Sequence, residues 1–431
     1  MSKWFTRWRQ SRRALIIAFV FTQIYYLGNS FLEPTLRLVS ADLAIYAKFW
    51  MHEGMFQNSL SLHHLYGINT SWVYPALALV PVFVAWIPDQ IYLSWLASTG
   101  VTQPTDVQVV LPFGITWVLL TVVLNTFVFR FYLRRSTGQV GRGYASALWL
   151  WFAVVILLHG LFQNRVDGPA LALTLFALPL LVEKPKVAAT LLALGTWIKV
   201  WPVALLGALL FDKAKRKTVI LLSAISSAAI AAVALVLGGN LNFLSFITAQ
   251  TARTLQVESL FSLPWMLKML PAKVFLNMEI YTWEIQGAGI DTVAKLVNYV
   301  MVAGVVLTVA SAFVAMRRGI EVGRVVALTT MGILLDLILF NKVGSPQYIA
   351  WLLVPLILLF QCSDTRGLRQ MIWLVLYAAL FTGLIAPVFY DDITDRSLLG
   401  CALLLGKALS LLGLWVLAHF QMLRSHEANV Q

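Results

Sequence analysis

The sequence predicts an all-α polytopic integral membrane protein, and three observations predict it. Hydrophobic residues make up 60% of the 431 positions and charged residues only 12%, about half the charged share of a soluble domain. Apolar runs recur along the chain, several of them near the ~20 residues that a helical crossing needs. Basic residues gather in the breaks between those runs. Of the 32 Lys and Arg, 21 fall in residues 1–13, 130–142, 184–186, 213–217, 317–324 and 366–369 and at Arg424. Positive charge on cytoplasmic loops is the ordinary orientation signal of membrane proteins. The net charge of +13 therefore reports topology and not a nucleic-acid partner, with attraction to anionic membrane lipids as a side effect.

The first span, 14–36, follows Lys3, Arg7, Arg9, Arg12 and Arg13. Such a start imitates a signal peptide, but no small-residue cleavage pattern follows, so an uncleaved span is expected. Further spans are expected at 108–132, 143–163, 168–183, 217–238, 296–316, 325–340, 346–361, 371–389 and 397–420. Two more apolar stretches do not fit a simple crossing. Residues 187–211 lie between Lys186 and Lys213, both cytoplasmic by the charge rule, and are interrupted at Ile198-Lys199-Val200-Trp201-Pro202. The chain should turn back near Lys199. Each half, about 12 residues or roughly 18 Å of helix, is too short to cross alone. Such a hairpin is viable where its turn is buried in protein or lines a wet cavity. Residues 73–97, with Pro75, Pro81 and Pro88, read as a similar hairpin. The expectation is about 12 membrane helices, some short or re-entrant, in a multi-pass cell-membrane protein with both termini cytoplasmic.

This topology leaves two outer segments, 37–72 and 239–295. The second holds Phe243, Phe246, Phe261, Trp265, Phe275, Tyr281 and Trp283, a pattern that suits amphipathic helices lying on the membrane surface. No internal repeat or second soluble domain is visible, so residues 1–431 read as a single transmembrane domain. Cys362 and Cys401 suggest neither a disulfide nor a metal site.

Several polar residues stand out against this apolar background. Asp42 opens the stretch Ser40-Ala41-Asp42-Leu43-Ala44-Ile45-Tyr46 just after the first span. It is either a solvated helix-start carboxylate, worth about 0.3–1 kcal/mol against the helix dipole, or a general base at the membrane surface. His63, His64, Trp72 and Tyr74 form either part of an interfacial aromatic belt or a substrate-binding wall for a sugar, with a histidine donating to a hydroxyl or phosphate. Arg165, in the outer turn Gln163-Asn164-Arg165-Val166-Asp167-Gly168, either pairs locally with Asp167 or binds a lipid phosphate by bidentate hydrogen bonds. Lys199 is a charge within apolar sequence, which points to function, unless it snorkels to the headgroups. The turn Asn341-Lys342-Val343-Gly344-Ser345-Pro346-Gln347-Tyr348 presents Lys342, Gln347 and Tyr348 to a sugar or phosphate. Asp336, inside a span, needs a partner, with a Lys from another helix as the expectation. No Gly-rich nucleotide loop, Ser/His/Asp signature or metal-spaced Cys/His cluster is present, so no cofactor is expected.

In this order the pieces resemble the GT-C superfamily of integral-membrane glycosyltransferases. The similarity is nearest to the bacterial polyprenyl-phosphate-mannose-dependent mannosyltransferases, including the phosphatidylinositol-mannoside enzymes, and extends to the catalytic subunit of GPI mannosyltransferase I. In these families an Asp follows the first span and leads into an aromatic-rich helix and a Tyr-Pro turn, here Asp42-Leu43-Ala44-Ile45-Tyr46 and Trp72-Val73-Tyr74-Pro75. A mid-chain Lys-x-x-Pro element matches Ile198-Lys199-Val200-Trp201-Pro202. A late element matches Asn341-Lys342-Val343 and Gln347-Tyr348 with Trp351 and Pro355. The match spans most of the chain. Ala44 stands where the eukaryotic branch has a second Asp, which leaves metal dependence open. The late element lacks the histidine of many actinobacterial members, and His63 or His64 is the available substitute.

The resemblance implies a GT-C-like fold and inverting transfer of mannose from a polyprenyl-phosphate donor to a glycolipid or glycan acceptor on the extracytoplasmic side. It implies Asp42 as base, with Arg165, Lys199, Lys342, Gln347 and Tyr348 on the donor phosphate and sugar. The same scaffold serves arabinofuranosyl transfer from polyprenyl-phosphate-arabinose. A lipid or solute transporter is the rival from another class. Transporters often show internal repeats and ionisable groups at mid-membrane, and here only Asp336 answers to that.

Overall fold

The ten predicted spans are largely helical in their described residues, because apolar runs leave the backbone few other ways to satisfy its hydrogen bonds in lipid, but the helices at 143–163, 168–183 and 346–361 are shorter than a full crossing. The computed structural model describes residues 11–31, 41–55, 64–101, 103–137, 141–248, 253–277 and 282–424. In chain order the helices are α1 (Arg12–Phe31), α2 (Ala41–Ala44, continued by a π-helical stretch Ile45–Met55), α3 (Leu79–Ser98), α4 (Asp106–Arg135), α5 (Gly141–Leu157), α6 (Asp167–Glu183) and α7 (Pro185–Ile198). They continue as α8 (Val203–Ala208), α9 (Arg216–Val236), α10 (Ile290–Arg317), α11 (Val322–Leu339), α12 (Leu353–Leu359), α13 (Leu368–Gly383) and α14 (Leu398–Leu423), with three further short helices at Ser245–Thr248, Leu263–Met266 and Tyr390–Thr394. Eight helices among the described residues are long and apolar enough to cross a membrane. The protein is a multi-pass membrane protein.

Burial separates the centre of the bundle from its rim. In α11, 78% of the apolar window is buried, against 17% in α9. A helix that is apolar all round and covered all round sits inside the bundle, whereas one with exposed Ile, Leu and Val faces lipid. α6 belongs to the centre, with Leu171, Leu175, Leu178 and Leu181 all buried. Within this core Asp336 of α11 accepts from Thr308 Oγ1 (2.7 Å) and Trp415 Nε1 (2.8 Å). Among the described residues no Lys pairs with Asp336, contrary to the expectation. Two neutral donors satisfy the carboxyl from α10 and α14 instead.

Two other expectations are corrected. Residues 73–97 do not form a hairpin. A 3-10 turn (Ala76–Ala78) leads into α3, which passes Pro88 unbroken. Pro81 falls in the first turn of α3, where its missing N–H costs nothing. Packing on α4 holds the helix through the second proline. The outer segment 239–295 is not built only of surface helices. It holds a β-hairpin, β1 (Lys273–Asn277) against β2 (Thr282–Gln286), paired antiparallel with Val274 opposite Ile285. Val, Phe, Trp and Ile in these strands fit a pleated, half-buried surface. The hairpin predicted around Lys199 does form. α7 ends at Ile198, and α8 packs back against α7 and α11.

Polar contacts mark the two ends of the bundle. At one end Arg135 of α4 grips Glu183 at the end of α6 (2.8 Å), and Arg324 of α11 meets Asp364. At the other end α1 finishes, α6 begins and α11 finishes. That end holds the candidate site.

Candidate functional site

The site is built on the turn between α5 and α6. After α5 the chain passes Gly160 in the left-handed region (φ 69°), makes a 3-10 turn (Leu161–Asn164) and starts α6 at Asp167. Side chains from α1 and α4 pin this turn. Trp117 Nε1 donates to the Gln163 carbonyl (2.9 Å), Tyr26 Oη to Asn164 Oδ1 (2.7 Å) and Asn164 Nδ2 to Ser30 Oγ (3.0 Å). The result is a rigid platform that fixes the directions of Arg165 and Asp167.

Asp167 is 1% exposed. It accepts from Trp351 Nε1 at 2.8 Å through Oδ1, and its Oδ2 lies 3.3 Å from Lys199 Nζ. Its place in the first turn of α6 also favours a negative charge. The local Arg165–Asp167 pair considered from the sequence does not form. Arg165 reaches across the bundle and donates to Gln347 Oε1.

Lys199 stands in extended backbone where α7 has ended. The Asp167 carboxylate is the counter-charge that a buried ammonium needs. Its Nζ lies 4.2 Å from the centre of the Tyr74 ring, a cation–π contact that gains strength when desolvated.

Aromatic rings wall this pair on two sides. Trp201 stacks on Trp351 (5.6 Å, 13°), and Tyr348 packs on Trp351 (4.1 Å). On the other side Tyr74 meets Trp72 edge-on (5.3 Å) and Trp50 (5.7 Å), and Trp50 stacks on Tyr46 (4.5 Å). Ser245, from the second outer segment, brackets the Trp72 backbone: its Oγ accepts from Trp72 N (2.8 Å) and donates to Trp72 O (3.0 Å). Trp72 Nε1, Trp201 Nε1 and the Gln163 side-chain amide are buried with no hydrogen-bond partner among the described residues. Unpaired buried side-chain atoms also occur elsewhere among the described residues, at Asp89, Ser223, Thr329 and Thr382.

The predicted residues therefore divide. Arg165, Lys199, Gln347, Tyr348, Trp72 and Tyr74 come together at one end of the bundle. The backbone of Asp42 lies in α2, where the next residue, Leu43, is buried and α2 packs on α4. Tyr46 and Trp50 then carry the chain from α2 to Tyr74 and Lys199. The Asp42 side chain and all of His63 lie outside the described residues. His64 is exposed beside the Leu65–Thr70 turn. Lys342 parts from the group: it is buried at a separate cleft that it borders with Lys295, Asn298, Tyr299 and Val302.

Sequence reading missed Asp167 as the partner of Lys199, and Trp50, Trp201 and Trp351 as the wall. The signal for Trp201 and Trp351 was their place inside the two motifs. Among the described residues no three His, Cys, Asp or Glu are grouped to hold a metal ion. No protein-family model matches the chain, and no curated protein matches it.

Proposed function

We propose that the protein is a GT-C-like inverting glycosyltransferase that transfers mannose from a polyprenyl-phosphate donor to a glycolipid or glycan acceptor at the extracytoplasmic surface of the cell membrane. The observation that carries this reading is the Lys199 ammonium, held charged by buried Asp167 and walled by Tyr74, Tyr348 and Trp351. A fixed cation beside aromatic faces and orphan donors suits a sugar linked to a phosphate. Rings offer their faces to the sugar, and the cation stabilises charge that develops on the leaving phosphate.

In the proposed reaction Asp42 takes the proton of the acceptor hydroxyl as its oxygen bonds to the anomeric carbon. The bond from that carbon to the phosphate oxygen breaks on the opposite face, and polyprenyl phosphate leaves with the electron pair. Base assistance of this kind is worth about 10²–10⁴-fold. Lys199 and Arg165 meet the phosphate charge, Gln347 and Tyr348 orient the donor sugar, and Trp72 and Tyr74 line the acceptor side, with His63 or His64 as a further substrate ligand. Lys342, expected with the phosphate ligands, has no part in this assignment.

A transporter reading has one observation in its favour, the ionisable Asp336 and His419 within the bundle. That cluster is closed, since Thr308 and Trp415 occupy both oxygens of Asp336. The test supplies purified protein in nanodiscs with a glycolipid extract and radiolabelled polyprenyl-phosphate-mannose or polyprenyl-phosphate-arabinose. Label entering a new lipid from the mannose donor is expected. Transfer from the arabinose donor alone would change the sugar and keep the reaction. No transfer from either, with solute accumulation in sealed vesicles, would overturn the reading.

A further inference from the structure

The second outer segment brings a cation to the Lys199 site that neither motif contains. Residues 255–257 run as a third strand beside β2. The Ile285 N–H donates to the Leu255 carbonyl (3.1 Å) and the Val257 N–H to the Trp283 carbonyl (3.2 Å). The same strand is tied to the late turn, where the Gln256 N–H donates to the Lys342 carbonyl (3.0 Å) and Ser259 Oγ to the Asn341 carbonyl (2.8 Å). Leu255 and Val257 are buried. Arg253, two residues before this anchored strand, is therefore held beside the turn that leads into Tyr348.

Two further relationships bring the segment to the site. Tyr348 lies within reach of three charges, those of Lys199, Asp167 and Arg253. Tyr390, which opens the short helix Tyr390–Thr394, faces the charges of both Glu258 and Arg165. The outer segment and the Arg165 turn thus meet over common ground.

The cations at this end differ in their commitments. Lys199 is paired with Asp167, Lys407 with Glu258 and Lys48 with Asp106. Arg253 is half-buried and forms no hydrogen bond or ion pair among the described residues. A guanidinium that gives up hydration without gaining a partner is disfavoured, so a ligand anion would be welcome there.

The proposed reaction needs such a cation. A sugar joined to a lipid through a phosphodiester carries one negative charge. The lipid monophosphate that leaves carries close to two at neutral pH and above. Lys199 already shares its charge with Asp167, so it answers the first charge better than the second. We infer that Arg253 is a ligand of the departing lipid monophosphate, its guanidinium donating N–H bonds to the phosphate oxygens. The inference rests on the sugar-transfer reading for the identity of that product.

Binding of two short probes to the purified protein in detergent tests it. The probes are farnesyl phosphate and its methyl diester, at a pH well above the second phosphate pKa near 6. The wild type should bind the monoester about tenfold more tightly than the diester, the worth of one more contact to a charged group. Arg253→Gln should erase that preference while diester binding stays within about twofold, and Arg253→Lys should restore part of it. Neither variant should shift the unfolding temperature, because no hydrogen bond or ion pair among the described residues is lost. Equal binding of the two probes by the wild type, or a preference that survives Arg253→Gln, would overturn the assignment of Arg253 alone. No binding of either probe by the wild type would overturn it together with the sugar-transfer reading. A preference that depends on Arg253 in a protein that transfers no sugar would uphold the phosphate ligand and remove only the transfer.

Discussion

The Lys199 ammonium lies 3.3 Å from the buried carboxylate of Asp167, although one residue ends a short helix in mid-chain and the other begins a different one. The contact explains how a cation is tolerated inside this bundle. Removing one member of a buried pair strands the other, at about 3–5 kcal/mol, whereas removing both costs much less.

The first prediction follows from that asymmetry. Asp167→Asn and Lys199→Met should each destabilise the protein by roughly 3–5 kcal/mol. The double variant should be markedly more stable than the sum implies, with a coupling above about 1 kcal/mol. Thermal unfolding of the four proteins in one detergent measures this. Simple additivity would mean that the two groups are not coupled.

A second buried pair holds the late turn. Lys407 of α14 donates to Glu258 (2.6 Å) and to the Gly344 carbonyl (2.9 Å), and Ser259 Oγ donates to the Asn341 carbonyl (2.8 Å). The outer segment thus clasps the turn that leads to Gln347 and Tyr348. Lys407→Met should cost roughly 3–5 kcal/mol, and adding Glu258→Leu should recover much of it. Gly344→Ala should also destabilise, because a Cβ there collides with the Glu258 carbonyl. A fully stable Gly344→Ala protein would contradict the clasp.

The Asp336 cluster predicts a graded series. Asp336→Asn keeps an acceptor for Thr308 or Trp415 and should cost little. Asp336→Val leaves Trp415 Nε1 without its acceptor, at about 1–3 kcal/mol, while Thr308 Oγ1 keeps His419 Nε2 at 3.2 Å. Equal unfolding temperatures for the two variants would remove the hydrogen bonds as the cause.

The opposite end of the bundle gives a pH prediction. Hydrogen bonds from the Arg366 side chain and backbone, with the nearby Arg324 charge, hold Asp364 down to about 2, against the opposing effect of burial. Because its folded pKa is depressed, the stabilisation is complete above the unfolded value near 3.9. It is lost as pH falls through about 4 to about 2. Asp364→Asn should therefore be less stable at neutral pH and should lose less on acidification through that window. Parallel acid limbs for the two proteins would contradict the linkage.

Much of this organisation is legible in the sequence because bilayers impose length and charge rules that local sequence carries. Ten apolar runs gave ten helical segments, and Lys199 with Pro202 marked a turn that the chain makes. Partner choice was not legible. Lys199 selects Asp167 and Arg165 selects Gln347 because helix packing brings distant turns together, and a single sequence carries no record of that. The hairpin of β1 and β2 was hidden because its aromatic residues fit an interfacial helix as well as a strand. Pro88 misled because packing on α4 outweighs the hydrogen bond that a mid-helix proline removes.

In the proposed reaction everything turns on Asp42 as the base of a sugar transfer. The most direct measurement compares wild type with Asp42→Asn, both purified in nanodiscs, for movement of label from polyprenyl-phosphate-mannose into a glycolipid. Transfer by the wild type and a loss of about 10²-fold or more in the variant are expected, with unchanged unfolding temperature. Undiminished turnover by a well-folded Asp42→Asn protein would contradict it.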